Sequence, residues 1–128
     1  MTKRFDGKVA LVVGGNAGIG LATARAFASE GASVMIAGRR AEENEAAAEL
    51  IRSGGGIAAS VAADVTSAES VKAMVSRTME TFGALHVAYN NAGITGTVNL
   101  FVEDADQAMY ERVMAINATG TWLAMKYE

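Results

Sequence analysis

The sequence has no cysteine, no proline, a single histidine and no apolar run close to the length of a membrane span. Without cysteine the chain forms no disulfide and no thiolate metal site, and no other set of metal ligands stands out, so no metal is expected. A bilayer span needs roughly 20 apolar residues. Residues 1–4 lead into a short apolar run rather than a signal sequence, so we expect no membrane association and a cytoplasmic protein.

Basic charge is not in excess either. The chain has 14 acidic and 11 basic residues and a net charge of −3. Nucleic-acid-binding domains usually carry a basic surface, so nucleic acid is not expected as a partner. The 128 residues are enough for one compact domain with its own core. Average usage predicts about six prolines at this length, and their absence fits a chain of helices and buried strands.

What the sequence does contain is an alternation of strand and helix patterns. Apolar runs typical of strands buried in a parallel sheet cover residues 8–13, 33–37, 57–63 and 86–90. Helical patterns follow at 18–30, 41–53, 67–82 and from about 104 to the end. In the second helix, Ala47, Leu50 and Ile51 form the predicted inner face. Four successive strand and helix units predict an α/β fold with a doubly wound parallel sheet.

The loops after the strands are the candidate binding loops. In an open parallel sheet, ligands bind beside the carboxyl ends of the strands. Each of the four strands is followed by such a loop, at 14–20, 38–40, 64–66 and 90–94. We therefore expect these loops to lie along one edge of the sheet.

The first of these loops is rich in glycine. It comprises Gly14, Gly15, Asn16, Ala17, Gly18, Ile19 and Gly20. Between a buried strand and a helix, glycines permit a tight turn and the close approach of a phosphate, which the amides at the helix N-terminus bind. The Gly-x-x-x-Gly-x-Gly spacing differs from Gly-x-Gly-x-x-Gly, and no Gly-Lys-Ser/Thr follows as in a P-loop. The alternative is a glycine-rich connection with no ligand.

Further motifs accompany this loop in order along the chain. Asp64-Val65 follows the third strand, Asn90-Asn91-Ala92-Gly93 follows the fourth, and Asn117 lies in the last helix. Together with Gly14-x-x-x-Gly18-Ile19-Gly20, they resemble the short-chain dehydrogenase/reductase family over the whole chain. The resemblance implies a Rossmann-like, NAD(P)-binding fold and hydride transfer between nicotinamide and an alcohol or carbonyl substrate. The family usually has threonine at the position of Val13.

The resemblance also implies roles for these residues. Asp64 accepts a hydrogen bond from the adenine amino group, and Val65 flanks the ring. Residues 91–93 place backbone against the cofactor ribose, and Asn117 is the family's catalytic asparagine, which bends its helix and holds a water. Each position also has a structural alternative: an Asx turn or helix cap at Asp64, ordinary turn formers at 90–91, and a surface residue at Asn117.

The residues after the second strand bear on the choice of cofactor. Arg39 and Arg40 stand where an enzyme that prefers NAD has an acidic residue for the ribose 2′-hydroxyl. A guanidinium group suits a 2′-phosphate instead, so NADP(H) is favoured over NAD(H). NADP-preferring members of the family often have another basic residue in the glycine loop, where Asn16-Ala17 supplies none. The alternative is that the arginines pair with Glu42 or Glu43 on the surface.

The family's Tyr-x-x-x-Lys pair does not occur in this chain, and neither does the serine that follows a fifth strand. A full member would have about 250 residues. We therefore interpret residues 1–128 as the N-terminal part of one Rossmann-fold domain without its catalytic C-terminal half. The alternatives are a dinucleotide-binding module without chemistry and a fragment complemented by another chain.

A stripe of residues on the last helix faces either the core or a partner. It consists of Met109, Val113, Ile116, Gly120 and Leu123. We expect a homo-oligomer.

Overall fold

A computed structural model describes residues 2–96 and 101–128 of the chain. Its regular elements begin with β1 (Val9–Val13), α1 (Gly18–Ser29), β2 (Ser33–Gly38), α2 (Ala41–Ser53), β3 (Ile57–Ala62), α3 (Ala68–Phe82) and β4 (Val87–Asn90). A 3-10 turn (Val102–Asp104), α4 (Gln107–Met114), a π-helical turn (Ala115–Gly120) and α5 (Thr121–Tyr127) follow. The predicted α/β alternation is confirmed, but the last helical segment begins later than predicted and is interrupted by the π-helical turn.

Local chemistry explains where several helices begin and end. The Ser67 hydroxyl accepts a hydrogen bond from the Ser70 amide at 3.2 Å, which caps the start of α3. Asp106 caps α4 in the same way through the Ala108 amide at 3.1 Å. The last turn of α3 ends at Gly83, whose φ of 78° is a left-handed conformation that glycine adopts without strain.

The four strands form one parallel sheet in the order β3-β2-β1-β4. Val13, at the end of β1, is paired with Ala37 of β2 and Asn90 of β4. At the same level, Gly38 of β2 is paired with Ala62 of β3. Because the strands end level with one another, the loops that follow them start from the same edge of the sheet. The register of the strands therefore brings the four candidate binding loops together at this edge.

Alternate side chains of the strands pack on opposite faces of the sheet. On one face Ala10, Val12, Val34 and Ile36 pack with buried residues of α1 and α2. On the other, Leu11, Val13, Met35 and Ala37 pack with residues of α3, the π-helical turn and α5. Helices cover both faces, as a doubly wound sheet requires, and the continuous apolar sequences of β1 and β2 follow from burial on both sides. The predicted burial does not extend to β3 and β4, which lie at the two edges of the sheet and are mostly only partly buried.

The inner face of α2 differs from the prediction. Leu50 is 55% exposed, whereas Asn44, Ala47, Ala48 and Ile51 are buried. The buried positions are spaced by three and four residues, so the predicted helical period was right. Ala47 and Ile51 are buried as predicted, whereas Leu50 of the predicted face is not. The buried face also includes Asn44, which a pattern of apolar residues does not pick out.

Two findings concern the part of the chain that the structure describes. No helix in it is both long and apolar enough to cross a membrane. Within the same residues, no group of three or more His, Asp or Glu side chains is placed to hold a metal ion.

Candidate functional site

The loops after the four strands meet in a cleft of about 290 Å³ at the carboxyl edge of the sheet. Its lining includes residues of every predicted binding loop, together with Ile116 of the π-helical turn: Val13, Gly14, Asn16, Ala17, Gly38, Arg39, Arg40, Ala63, Val65, Asn91, Ala92, Gly93 and Ile94. Six predicted residues are not part of this lining: Gly15, Gly18, Ile19, Gly20, Asp64 and Asn117. The structure thus brings together most of the predicted site.

The glycine loop is packed directly against the loop after β4. Gly14 has a φ of 79°, and a Cβ there would lie 3.0 Å from the backbone of Asn91. At Gly20, a Cβ would overlap the carbonyl oxygen of Gly14 and lie 3.0 Å from the side-chain nitrogen of Asn91. Real Cβ atoms essentially never come as close to backbone as a Cβ at Gly20 would, and the contact at Gly14 would be tighter than most. The glycines are therefore needed for contact between two loops of the protein, in addition to any approach of a ligand.

The N-terminus of α1 is free of side-chain partners. No side chain caps it at Ala17, and its first turn contains no acidic residue. By contrast, α2 has Glu42 and Glu43 in its first turn, and α3 is capped by Ser67. The first amides of a helix carry partial positive charge and lack backbone partners. Of the helices α1 to α4, all within the described residues, only α1 presents these amides without a side-chain cap or a nearby acid.

Arg39 and Arg40 both line the cleft but have different surroundings. The Arg40 guanidinium forms an ion pair with Glu43 at 2.8 Å, one of the pairings that the sequence left open. For Arg39, no carboxylate lies within ion-pair distance among the residues that the structure describes. Since Arg39 keeps its charge available, it is the stronger candidate for contact with an anionic ligand.

The side chain of Asp64 forms an Asx turn. Its Oδ1 accepts hydrogen bonds from the Thr66 amide at 3.0 Å and the Thr66 hydroxyl at 2.7 Å. These bonds, aided by the positive charges of Arg39 and Arg112, hold the pKa of the carboxyl below its usual value. Both bonds use Oδ1, so Oδ2 is left to accept a bond from a ligand. Asp64 therefore forms the Asx turn that was the alternative at this position, and it can still accept a hydrogen bond from a ligand.

Val65 connects the cleft with the last helical segment. Its side chain is buried, and a Cβ at Gly120 would lie 2.6 Å from Val65 Cγ2. The missing side chain at Gly120 therefore allows the π-helical turn to pack against the loop after β3. Of the stripe predicted on this segment, Ile116, Gly120 and Leu123 are buried, so this part of it faces the core.

Asn117 clamps the loop after β4. Its Oδ1 accepts a hydrogen bond from the Ile94 amide at 2.8 Å, and its Nδ2 donates one to the Ile94 carbonyl at 2.7 Å. A Cβ at Gly93 would lie 3.3 Å from Asn117 Oδ1. The clamp is formed where the helix widens into the π-helical turn at Ala115–Gly120, a local distortion often found at functional sites.

Sequence reasoning missed one residue near the site, Asn44. It is fully buried, and its Oδ1 accepts a hydrogen bond from Asn16 Nδ2 at 2.8 Å. Its Nδ2 donates to the carbonyl of Gly38 at 2.8 Å and to that of Val61 at 3.1 Å. The available signal was an asparagine three residues before Ala47 and seven before Ile51, which places it on a core-facing stripe.

Comparisons of sequence with known proteins give the following matches. A family model described as short chain dehydrogenase matches residues 8–127. The 2-(S)-hydroxypropyl-CoM dehydrogenase 3 of Xanthobacter autotrophicus is 41% identical over 98% of this chain and 49% of its own length. Cyclohexanol dehydrogenase of Acinetobacter sp. is 38% identical over 100% of this chain and 51% of its own length. The chain spans about half the length of the curated relatives it matches.

Solved structures show the same architecture. An NAD+-bound xylitol dehydrogenase matches with a TM-score of 0.92 and 38% identity, over 98% of this chain and 48% of that one. A metagenomic short-chain oxidoreductase in complex with NADP matches with a TM-score of 0.89 and 30% identity, over 96% of this chain and 55% of that one. One of these proteins holds NAD+ and the other NADP, so this architecture accommodates either dinucleotide.

Proposed function

The chain belongs to the short-chain dehydrogenase family, and we propose that it forms the dinucleotide-binding part of an NADP(H)-preferring oxidoreductase. The intact enzyme would transfer hydride between the nicotinamide of the cofactor and an alcohol or carbonyl carbon of a small-molecule substrate. The bound cofactor supplies the hydride chemistry, and the residues of this chain would hold the cofactor in place.

The observation that carries the proposal is the uncapped N-terminus of α1 beside a cleft built from glycine. Pyrophosphate binds well where helix amides are unpaired and no carboxylate competes. Gly18 and Ile19 are exposed at this helix start, and a Cβ at Gly18 would meet nothing within 4 Å. Space and partial positive charge thus coincide there. We assign the phosphates to the loop from Gly14 to Gly20.

The remaining assignments follow the cleft outward from this loop. Arg39 is the partner for a 2′-phosphate, because its charge is unpaired within the described part of the chain. Asp64 offers Oδ2 to the adenine amino group, and Val65 supports the ring. Asn91, Ala92 and Gly93 line the same cleft as Arg39 and are assigned to the cofactor ribose.

Asn117 is assigned to the catalytic end of the site. Its side chain makes two hydrogen bonds to the Ile94 backbone, so its direct effect is to hold the loop that lines the cleft. A helix distorted at Ala115–Gly120 also exposes backbone groups that an ordinary helix would pair. Such groups suit a bound water, the role that the family resemblance implies for this asparagine.

Titration of the purified protein with NADP+ and NAD+ tests the proposal. We expect saturable binding of both, with NADP+ at least about tenfold tighter because Arg39 contacts the extra phosphate. Competition by 2′,5′-ADP and by 5′-ADP should show the same order. Absence of saturable binding by either dinucleotide would contradict the proposed function.

A second candidate is a dinucleotide-binding module without chemistry, favoured by the lack of Tyr-x-x-x-Lys in this chain. A general acid/base is needed to move the substrate proton during hydride transfer. The two candidates differ in an assay that follows NADPH absorbance with alcohol and carbonyl substrates. Turnover by the 128-residue chain alone would exclude the binding-only function.

We also propose that the protein is a homo-oligomer that associates through the outer face of α4 and α5. Tyr110, Met114, Trp122 and Met125 on this face are 63%, 44%, 57% and 63% exposed. Exposed apolar side chains of this size on neighbouring helical segments are typical of an interface.

Replacement of Trp122 with glutamate should therefore shift the protein towards monomer, because it places a charge within the apolar face. Sedimentation velocity measures the change. Leu50→Glu is the matched control, since Leu50 is 55% exposed on α2, away from this face. Equal sedimentation of wild type and Trp122→Glu would remove this face from any interface.

A further inference from the structure

The buried amide of Asn44 has a fixed orientation. Its Nδ2 lies 2.8 Å and 3.1 Å from the carbonyl oxygens of Gly38 and Val61. Carbonyl oxygens only accept hydrogen bonds, so the nitrogen of Asn44 must face them. Its Oδ1 is then an acceptor directed at Asn16, 2.8 Å away. A flipped Asn44 would lose both bonds to backbone and is excluded by the burial of this side chain.

This orientation passes to Asn16, which lines the cleft. Because Asn44 presents an acceptor, Asn16 must present its amide nitrogen and commits one hydrogen to that bond. The second hydrogen on the same nitrogen remains for another acceptor. Asn16 is only partly buried, and it lines the cleft together with Gly38, Arg39 and Arg40.

The pair lies directly over the end of β2. A Cβ at Gly38 would be 2.7 Å from Asn44 Oδ1 and 2.9 Å from Asn16 Nδ2. In dinucleotide-binding sheets of this kind, the residues at the end of this strand contact the ribose 2′ substituent. The Asn16 nitrogen is therefore held beside the position that distinguishes NADP from NAD.

We propose that Asn44 is a positioning residue for cofactor selectivity. It holds the Asn16 amide so that its free hydrogen is donated to the 2′-phosphate of NADP, beside the guanidinium of Arg39. The inference rests on the proposed function, since it requires a dinucleotide in the cleft. It explains why one of the four buried positions of α2 is an asparagine, whereas the other three are alanine or isoleucine.

The test compares the ratio of the dissociation constants for NAD+ and NADP+ in wild type, Asn16→Ala, Asn44→Ala and the double variant. A donated hydrogen bond to a charged group strengthens binding of the phosphate form alone. We expect the ratio to fall about fivefold in each single variant. The double variant should match Asn16→Ala, because Asn44 acts only through Asn16.

Thr78→Val is the matched control for loss of a buried polar group. Thr78 is also fully buried, and its hydroxyl donates a hydrogen bond to the Met74 carbonyl within α3. The control should lower the melting temperature and leave the ratio unchanged. If Asn44→Ala behaves like this control, Asn44 has only a structural role and the inference is wrong.

Two further outcomes separate this inference from the proposed function. If Asn44→Ala does not fold, the test rests on Asn16→Ala. An unchanged ratio of the two dissociation constants in Asn16→Ala overturns the inference. A wild type that prefers NADP+ while its variants keep the same ratio overturns the inference alone. A wild type that binds neither dinucleotide overturns both.

Discussion

A Gly20→Ala variant is expected to lose about 3 kcal/mol or more of the free energy of unfolding, and dinucleotide binding with it. The added methyl group would overlap the Gly14 carbonyl and press on the Asn91 side chain. Both obstacles belong to loops fixed by the sheet, since the Gly14 amide bonds to the Ala37 carbonyl and the Asn91 amide to the Val13 carbonyl. Neither loop can move without breaking these bonds. Urea unfolding followed by circular dichroism measures the loss.

Gly18→Ala provides the matched control in the same loop. A Cβ at Gly18 meets nothing within 4 Å, and the only cost is its φ of 54°. A left-handed alanine costs about 1 kcal/mol. Equal destabilisation by the two substitutions would mean that packing between the loops does not explain the requirement for Gly20.

An Arg39→Asp variant is expected to bind NADP+ about 100-fold more weakly, while its affinity for NAD+ stays the same or increases. The substitution removes charge-assisted hydrogen bonds to the phosphate and adds a like charge beside it, effects that together are of order 3 kcal/mol. Aspartate can also accept hydrogen bonds from the ribose hydroxyls of NAD+. Isothermal titration calorimetry with both dinucleotides measures the reversal.

The adjacent Arg40 offers a control with the same change of charge. Because Arg40 is paired with Glu43 at 2.8 Å, Arg40→Asp should weaken NADP+ binding much less. Similar losses in the two variants would point to the general charge at the cleft mouth and would remove Arg39 from its specific role. An unchanged preference in Arg39→Asp would do the same.

Most of the fold was predictable because its signals are local. The apolar runs at β1 and β2 are buried on both sides, so they needed no knowledge of their neighbours. The cap at Ser67 is local as well, since its partner is the amide of Ser70, three residues later. The inner face of α2 was predicted only in part, because Ala47 and Ile51 are buried but Leu50 is exposed. The buried Asn44 was missed, and its partners lie in the glycine loop and in β2 and β3. Those partners are distant in sequence.

The site shows the same division. The sequence motifs predicted which loops form the site, and residues of each of these loops line the cleft. Spacing did not distinguish Arg39 from Arg40, because the pairing with Glu43 depends on the conformation at the start of α2. It also did not show that Asn117 bonds to Ile94, which lies 23 residues earlier.

Sequence alone was sufficient for the order of strands and helices, the edge where the loops meet, and the family, because each depends on residue patterns within short segments. Tertiary structure was needed for the partners of individual polar side chains. Composition does not show that Asn44 is buried. It also does not show which groups Asn16, Asn117 and Arg40 bond to, because their neighbours are set by how the loops pack. For the same reason, the need for Gly20 is set by the backbone of Gly14 and the side chain of Asn91. A glycine pattern in the sequence indicates where the backbone can be flexible. Only the packing shows at which glycine a side chain would not fit.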